Sequence, residues 1–384
     1  MQKKAKRIVI ISPQEWAHLF VSKHHYALAL TEQGKEVYFI NPPGSGYCFS
    51  ITPHPEITNL WLVTYKIPQW IKWFRFPLHQ SLRFIYNLYL ALFIIPLFKQ
   101  MGPVDEWWCF ETNVFHSLHP LPSGKKILFL ADQNKGKQMK GLVKSAQLVV
   151  AVSQPLLDTH ARYAAKTLLI NHGLSKVFEK EALLNLQHLT ETYTKPAKIQ
   201  VGFAGNLLIG PTIDMKGIMT SISQNPDVLF HFWGPHTPKS GLAVPAETAS
   251  YIQFLKNAPN CLLHGPVSPE ILAKAYRQMD LFMVAINIKL DKNKGSNAHK
   301  IMEYLSTGKV VAANYISTYA YTENLIEMAD SEGSVPFSDV VKKTITNLEY
   351  YNQREFQEKR IKFALNNTYS KQALLIEEAI QKCS

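Results

Sequence analysis

Short apolar runs, each closed by a turn signal and set apart from the next by a helix-patterned stretch, recur along this chain. That alternation limits the fold more than any other feature. The first run is Arg7-Ile-Val-Ile-Ile-Ser-Pro13. Apolar at successive positions, it reads as a parallel strand covered on both faces. Residues 22–33 are good helix formers and stop at Gly34, a helix-ending signal. Glu36-Val-Tyr-Phe-Ile-Asn41 is the next strand, halted by Pro42-Pro43-Gly44. A β-α-β opening of this length predicts a Rossmann-like unit. Further strands are expected at 126–131, 148–152 and 167–170. The pattern restarts at Gln200-Val-Gly-Phe-Ala-Gly205 and continues at 228–234, 260–265, 280–285 and 309–313, with helical stretches such as 269–279 and 297–307 between. Two successive α/β domains are therefore expected, 1–190 and 198–354. The polar stretch Thr190–Pro196 reads as the linker, and a strand-free helical tail covers 355–384.

A length of 384 residues fits two cores better than one. Hydrophobic residues make up 46% and charged residues 18%, which excludes a largely disordered chain. Cys48, Cys109, Cys261 and Cys383 lie far apart with no CxxC and no Cys/His cluster, so neither a disulfide framework nor a zinc site is expected, and a reducing compartment fits. The net charge of +12 leaves three partner classes: nucleic acid, an anionic membrane surface, or small anionic substrates. No RNP-like, zinc-finger or helix-turn-helix pattern supports nucleic acid. Lys3, Lys4, Lys6 and Arg7 run straight into a strand rather than an apolar leader, so they do not read as a signal peptide.

Residues 65–101 interleave Trp70, Trp73, Phe74, Phe84 and Phe93 with Lys66, Lys72, Arg75, Arg83 and Lys99. The one acid between 51 and 101 is Glu56. Phe84–Phe98 is apolar nearly throughout, but it is shorter than a bilayer span and contains Pro96. A buried core helix with a basic loop and a helix lying in a membrane interface are equally compatible with this pattern.

The stretch with the most chemical content is Gly295-Ser-Asn-Ala-His-Lys300-Ile-Met-Glu303-Tyr-Leu-Ser-Thr-Gly308. A Gly/Ser/Asn loop opens a helix whose first N–H groups suit a diphosphate, with Ser296, Asn297 and Lys300 beside it. Glu303, three residues on, shares the helix face and can accept both hydroxyls of a ribose. Gly205-Asn206, Gly234 and Gly265-Pro-Val267 each follow a strand, where glycine lets backbone approach a phosphate closely. Such strand-end loops of one α/β unit converge on one crevice.

The order of these pieces resembles the C-terminal domain of GT-B glycosyltransferases. The family pattern runs G-x-hydrophobic-G, a strand ending in Gly, V-x-F/L-x-G-x-V, and P-x-K-x-x-E-Y-L-A-x-G-K-P-V-V-A. The matching stretches here are VGFAGN, FHFWGP, NCLLHGPVSPEILAKAYRQMD and NAHKIMEYLSTGKVVAAN. Trp16, Ser22–Leu30 and Val37–Pro43 are similar to a subgroup that includes teichuronic-acid- and xanthan-type sugar transferases. Ile170–Phe178 resembles the motif closing the first domain of that family, and Asn367-Thr-Tyr-Ser-Lys-Gln the start of its tail helix. The resemblance implies an α/β GT-B fold with two Rossmann-like domains facing a cleft and a C-terminal helix crossing back to the first. It departs at Asn206, where the family-four pattern carries Arg, at Lys216, a loose match for a second basic residue, and at the E-x7-E motif, which keeps only Glu303.

The implied function is metal-independent transfer of a sugar from a nucleotide-sugar, UDP- or GDP-linked, to a lipid-linked or cell-surface glycan at the inner face of the cytoplasmic membrane. Gly205, Asn206, Gly234, Gly265, Val267, Ser296, Asn297, Lys300 and Glu303 would bind the donor. No separate cofactor and no Asp-x-Asp metal motif is expected. A base is sought at strand ends and at the first helix: Asp132, Glu111, His24 or His25. A nucleotide-sugar epimerase of the same fold and a non-catalytic donor-binding module are the alternatives.

Overall fold

The computed structural model describes residues 5–17, 20–44, 49–75, 82–131, 134, 136, 138–190, 192–238, 244–291 and 297–383. It has two compact units. One comprises Met1–Asn171 together with Tyr369–Ser384, the other His172–Thr368.

The first unit carries strands β1 (Arg7–Ile11), β2 (Glu36–Ile40), β3 (Ser50–Pro53), β4 (Leu60–Thr64), β5 (Glu106–Cys109), β6 (Lys125–Leu130), β7 (Leu148–Ala151) and β8 (Thr167–Leu169). Among the described residues they form one sheet in the order β3-β4-β2-β1-β5-β6-β7-β8. Only the β3–β4 pair is antiparallel. The unbroken apolar runs follow from covering both faces. Val9 and Ile11 pack with Tyr86 and Leu90 on one side. Ile8 and Ile10 pack with Tyr26, Leu30 and Ile376 on the other. Strand β5, Glu-Trp-Trp-Cys, escapes sequence reading because it has four residues and no β-branched run, yet all four are buried between β1 and β6.

The second unit repeats the plan with β9 (Gln200–Ala204), β10 (Leu229–Trp233), β11 (Cys261–Gly265), β12 (Leu281–Val284), β13 (Val310–Ala313) and β14 (Glu327–Met328). Their order is β11-β10-β9-β12-β13-β14, all parallel. The chain builds outward from β9 through β10 to β11, then returns to add β12, β13 and β14 on the other side.

The boundary expected at 190–198 lies instead at 171/172. The Lys176–Gln187 helix belongs to the second unit: Phe178 and Ala182 enter its core, and Glu181 meets Arg277 at 2.5 Å. The polar stretch read as a linker is also fastened there. Tyr193 donates to Asp280 Oδ1 at 2.6 Å, and Lys309 lies over its ring. The tail is divided as well. The Arg354–Asn366 helix stays in the second unit, fixed by buried Arg360, which donates to the carbonyls of Leu325, Gly308 and Tyr351. Burial pushes this guanidinium down to about 9, and the three carbonyls offset part of its desolvation.

Only the Tyr369–Gln381 helix joins the first unit. Its Glu377 takes Lys6 at 2.9 Å and Lys35 at 2.8 Å, Gln372 accepts from the Tyr26 hydroxyl at 2.7 Å, and Ile376 and Ile380 are fully buried. Burial by itself raises the Glu377 carboxyl, but Lys35 and Lys6 outweigh it and hold the group below its ordinary value. A carboxylate depressed by folding stabilises above its unfolded pKa, and that stability is lost as pH falls through the folded one. Glu377→Gln should therefore lower the unfolding free energy by roughly 1–3 kcal/mol at pH 7. Urea denaturation of both proteins at pH 7 and again at pH 3 checks this, since the difference should close in acid.

Candidate functional site

The break in strand order between β9 and β12 sends the loops that follow them in opposite directions, and such a switch point opens a crevice at the carboxyl ends of the strands. After β9 the chain turns at Gly205-Asn206. The Gly205 N–H donates to Trp233 O at 2.9 Å, and the Gly234 N–H donates to Gly265 O at 2.9 Å. Gly234 has φ +125°, and a Cβ there would sit 1.9 Å from the Gly205 carbonyl oxygen. No side chain fits that contact, so two backbone turns touch. Gly265 also has positive φ, +72°. Asn206 is exposed, and its side chain accepts from the Leu208 N–H. Val267 is half-buried against the adjoining core.

After β12 the chain reaches the Lys300–Leu305 helix. Tyr304, inside it, is fully buried and ties it to the end of β9: its hydroxyl accepts from Ala204 N at 2.7 Å and donates to Ala204 O at 3.3 Å. The ring stacks on Phe282 of β12, centroids 4.4 Å apart. Lys300 and Glu303 stand on this same short helix. Lys300 Nζ lies 2.9 Å from Glu303 Oε2 and 3.2 Å from Oε1. Burial raises the Glu303 carboxyl above its ordinary value, with Lys300 pulling the other way. The expected anion and ribose ligands thus pair with each other in this structure. Asn297 is placed by its backbone, whose carbonyl faces His172 Nε2 at 2.9 Å.

The rim between β9, β12 and β13 is cross-linked. Asp214 caps the Met215–Gln224 helix by accepting from Gly217 N at 2.9 Å. Asn314, just after β13, donates to Asp214 Oδ2 and accepts from Ile286 N. The Gly205, Gly234 and Gly265 turns thus meet through backbone, and the helix of Lys300 and Glu303 is tied to the end of β9 through Tyr304. Ser296 lies outside the described residues. Sequence reasoning missed Tyr304, His172, Asp214 and Asn314. Tyr304 sits inside the E-Y-L motif and Asp214 is a local helix cap, so both were open to selection; His172 and Asn314 carry no local signal, because their partners are distant in sequence. Among the described residues, no group of three or more His, Cys, Asp or Glu side chains is disposed to hold a metal ion.

The candidates for a base lie in the first unit. Asp132 falls outside the described residues. His24 is fully buried; its Nδ1 accepts from Val21 N at 3.2 Å and its Nε2 faces Glu15 O at 2.9 Å. Burial lowers its pKa. The ring is therefore neutral, with its lone pair used in capping its own helix, and the base reading of His24 is corrected to a structural one. Glu111 is likewise buried, with Oε1 accepting the N–H groups of Asn113 and Val114. Through that oxygen it supports the turn after β5. His25 is half-buried and stacks on Tyr369, centroids 5.0 Å apart.

No protein-family model matches this sequence, and no curated protein matches it. Solved structures do. One is described as trehalose-6-phosphate from E. coli bound with UDP-2-fluoro glucose: 11% identity, 99% of this chain and 100% of that chain covered, TM-score 0.68. Another is the sucrose-phosphate synthase of Thermosynechococcus elongatus, 12% identical, with 98% of each chain covered and TM-score 0.68. A third is a UDP-forming α,α-trehalose-phosphate synthase from Burkholderia xenovorans in complex with glucose-6-phosphate, 10% identical, with 98% of this chain and 100% of that chain covered and TM-score 0.71. At such low identity the likeness shows a shared fold, the two-sheet α/β architecture of GT-B.

Tyr304→Phe should leave the buried Ala204 N–H unpaired and cost about 1–3 kcal/mol. A thermal melt with unchanged midpoint would remove Tyr304 as the tie between this helix and β9.

Proposed function

We propose that this chain is a nucleotide-sugar-dependent glycosyltransferase whose donor binds the carboxyl ends of β9–β12 in the second unit. The observation that carries the reading is the Lys300–Glu303 pair beside the touching turns of Gly205 and Gly234, at the switch point of a parallel sheet. Turns that meet without side chains leave backbone accessible to a phosphate. Lys300 supplies fixed positive charge to a diphosphate leaving group, which stabilises the negative charge that develops as the glycosidic bond to phosphate breaks. Glu303, relieved of part of its pairing when Lys300 turns to the diphosphate, accepts hydrogen bonds from ribose hydroxyls. UDP or GDP is the expected nucleotide. Three neighbours in fold support the transfer reading by their descriptions, which name UDP-2-fluoro glucose, a UDP-forming synthase and glycosyltransfer with retention. Transfer is read as independent of divalent metal.

The acceptor side is assigned to the first unit, with Asp132, Glu111 and His25 as the candidates for the base. We read the acceptor as a lipid-linked or cell-surface glycan, as in the teichuronic- and xanthan-type branch. The enzyme would then work at the inner face of the cytoplasmic membrane. The neighbours in fold are sugar-phosphate synthases by description, so a sugar phosphate is the competing acceptor.

A thermal-shift panel of UDP-, GDP-, ADP- and TDP-sugars tests the donor. One of them should stabilise the protein, and Lys300→Ala or Glu303→Ala should weaken that binding roughly tenfold to a hundredfold, as expected for loss of a charged hydrogen bond. Wild-type affinity in both variants sinks the assignment. Because burial raises the Glu303 carboxyl, donor affinity should fall on acidification at a pH above the ordinary carboxylate range. EDTA should leave transfer intact; activity lost in EDTA and restored by Mn²⁺ refutes metal independence.

A further inference from the structure

The helical path from Arg83 to Met101 has two apolar faces, and the first unit covers only one of them. Tyr86, Leu90 and Phe98 on one side are packed into the core with Val9 and Trp107. On the other side Phe84, Leu88 and Leu92, spaced four apart, are 63%, 51% and 58% exposed, and Phe93 beside them is 58% exposed. In and directly after the short Gln69–Lys72 helix, Trp70 is 54% and Trp73 72% exposed. The two pieces form one surface: the Trp70 ring meets Tyr89 at 6.4 Å, and Tyr89 stacks on Phe93 at 5.0 Å. Scattered apolar side chains on a surface need no explanation, but six large ones in one patch mark a contact site.

Charge selects the occupant. In the sequence from 51 to 101, Lys66, Lys72, Arg75, Arg83 and Lys99 face a single acid, Glu56. Lys72, between Trp70 and Trp73, and exposed Lys99, toward the far end of the helix, flank the patch, so a second copy would bring like charges together. A bilayer with anionic headgroups takes both features at once, cations at the headgroups and Trp, Phe and Leu in the acyl boundary. The run is long and apolar enough to cross a membrane, 19 residues at mean hydropathy 1.4. It cannot leave the protein to do so, because its inner stripe is part of the core.

We propose that the first unit docks on an anionic bilayer surface through the outward face of Arg83–Met101 and the Trp70–Trp73 segment, with the helix lying in the membrane plane. The proposal gives the lipid-side acceptor reading its physical basis and rests on the same orientation of the enzyme at a membrane. Donor-induced thermal shifts, measured on the same variants, let the two fail apart: loss of donor binding throughout sinks the transfer reading and leaves the docking result standing.

Flotation with phosphatidylglycerol/phosphatidylcholine vesicles and with pure phosphatidylcholine vesicles tests the docking. Each basic residue near an anionic surface adds roughly fivefold to binding. Wild type should therefore bind the anionic vesicles at least tenfold more tightly, and rising salt should weaken that binding. Leu92→Glu/Phe93→Glu should reduce it at least tenfold with an unchanged melting temperature. Tryptophan emission should shift to the blue on binding, and the shift should disappear in Trp70→Phe/Trp73→Phe. Should the glutamate pair unfold the chain, Lys66→Glu/Lys99→Glu serves instead, with a tenfold loss expected. Three results overturn the proposal: no binding by wild type, wild-type binding in the folded variants, or a dimer that the glutamate pair dissolves in a protein that never floats. The last makes the face an interface between copies.

Discussion

The Tyr304 hydroxyl, 2.7 Å from the nitrogen of Ala204, ties the second unit together where the order of its parallel strands reverses, between β9 and β12. β9 and β12 are neighbours in space and about eighty residues apart in sequence, so nothing local brings their ends into register. A buried phenol that accepts from the N–H of Ala204 and donates to its carbonyl holds the end of β9, and stacking on Phe282 of β12 fixes the ring. The turn at Gly205 then starts from a fixed point. Lys300 and Glu303, on the helix that carries Tyr304, are held relative to that turn by the same bond. The donor site proposed above depends on this tie.

Two buried ionic groups decide where the tail goes. Arg360 is held in the second unit by three carbonyls, and Glu377 in the first by two lysines. Both charges are too costly to bury without partners, so each helix settles where its partners are. The chain between them, from Asn367 to Thr368, therefore passes from one unit to the other. Apolar contacts by themselves would fix these helices less specifically, since either sheet offers an apolar face.

The Arg83–Met101 path carries apolar residues on two sides, one buried and one exposed. Its inner stripe is ordinary core; its outer stripe of Phe84, Leu88 and Leu92 has the same spacing and the same residue types. Sequence periodicity does not separate a buried helix from one exposed on a second apolar face, because both stripes add to the same hydrophobic run. The core reading drawn from residues 65–101 describes the inner side of the helix, and the proposed docking rests on the outer side.

The sequence alone determined the α/β class, ten of the strands and the position of the strand-end loops, because strands covered on both faces must be apolar at successive residues and turns that touch must be glycine. Lys300 and Glu303 were legible for the same local reason, a three-residue spacing on one helix face. Tertiary structure decided what depends on partners far along the chain. It enlisted Tyr193 to fasten an apparent linker to Asp280, split a continuous helical tail between two units, and inserted the Trp-rich β5 between β1 and β6. It turned His24 from a plausible base into a helix cap with both ring nitrogens engaged, and it set one Glu111 oxygen to support the turn after β5. Residue type tells which groups can accept a proton; only the packed chain tells which of them are still free to do so.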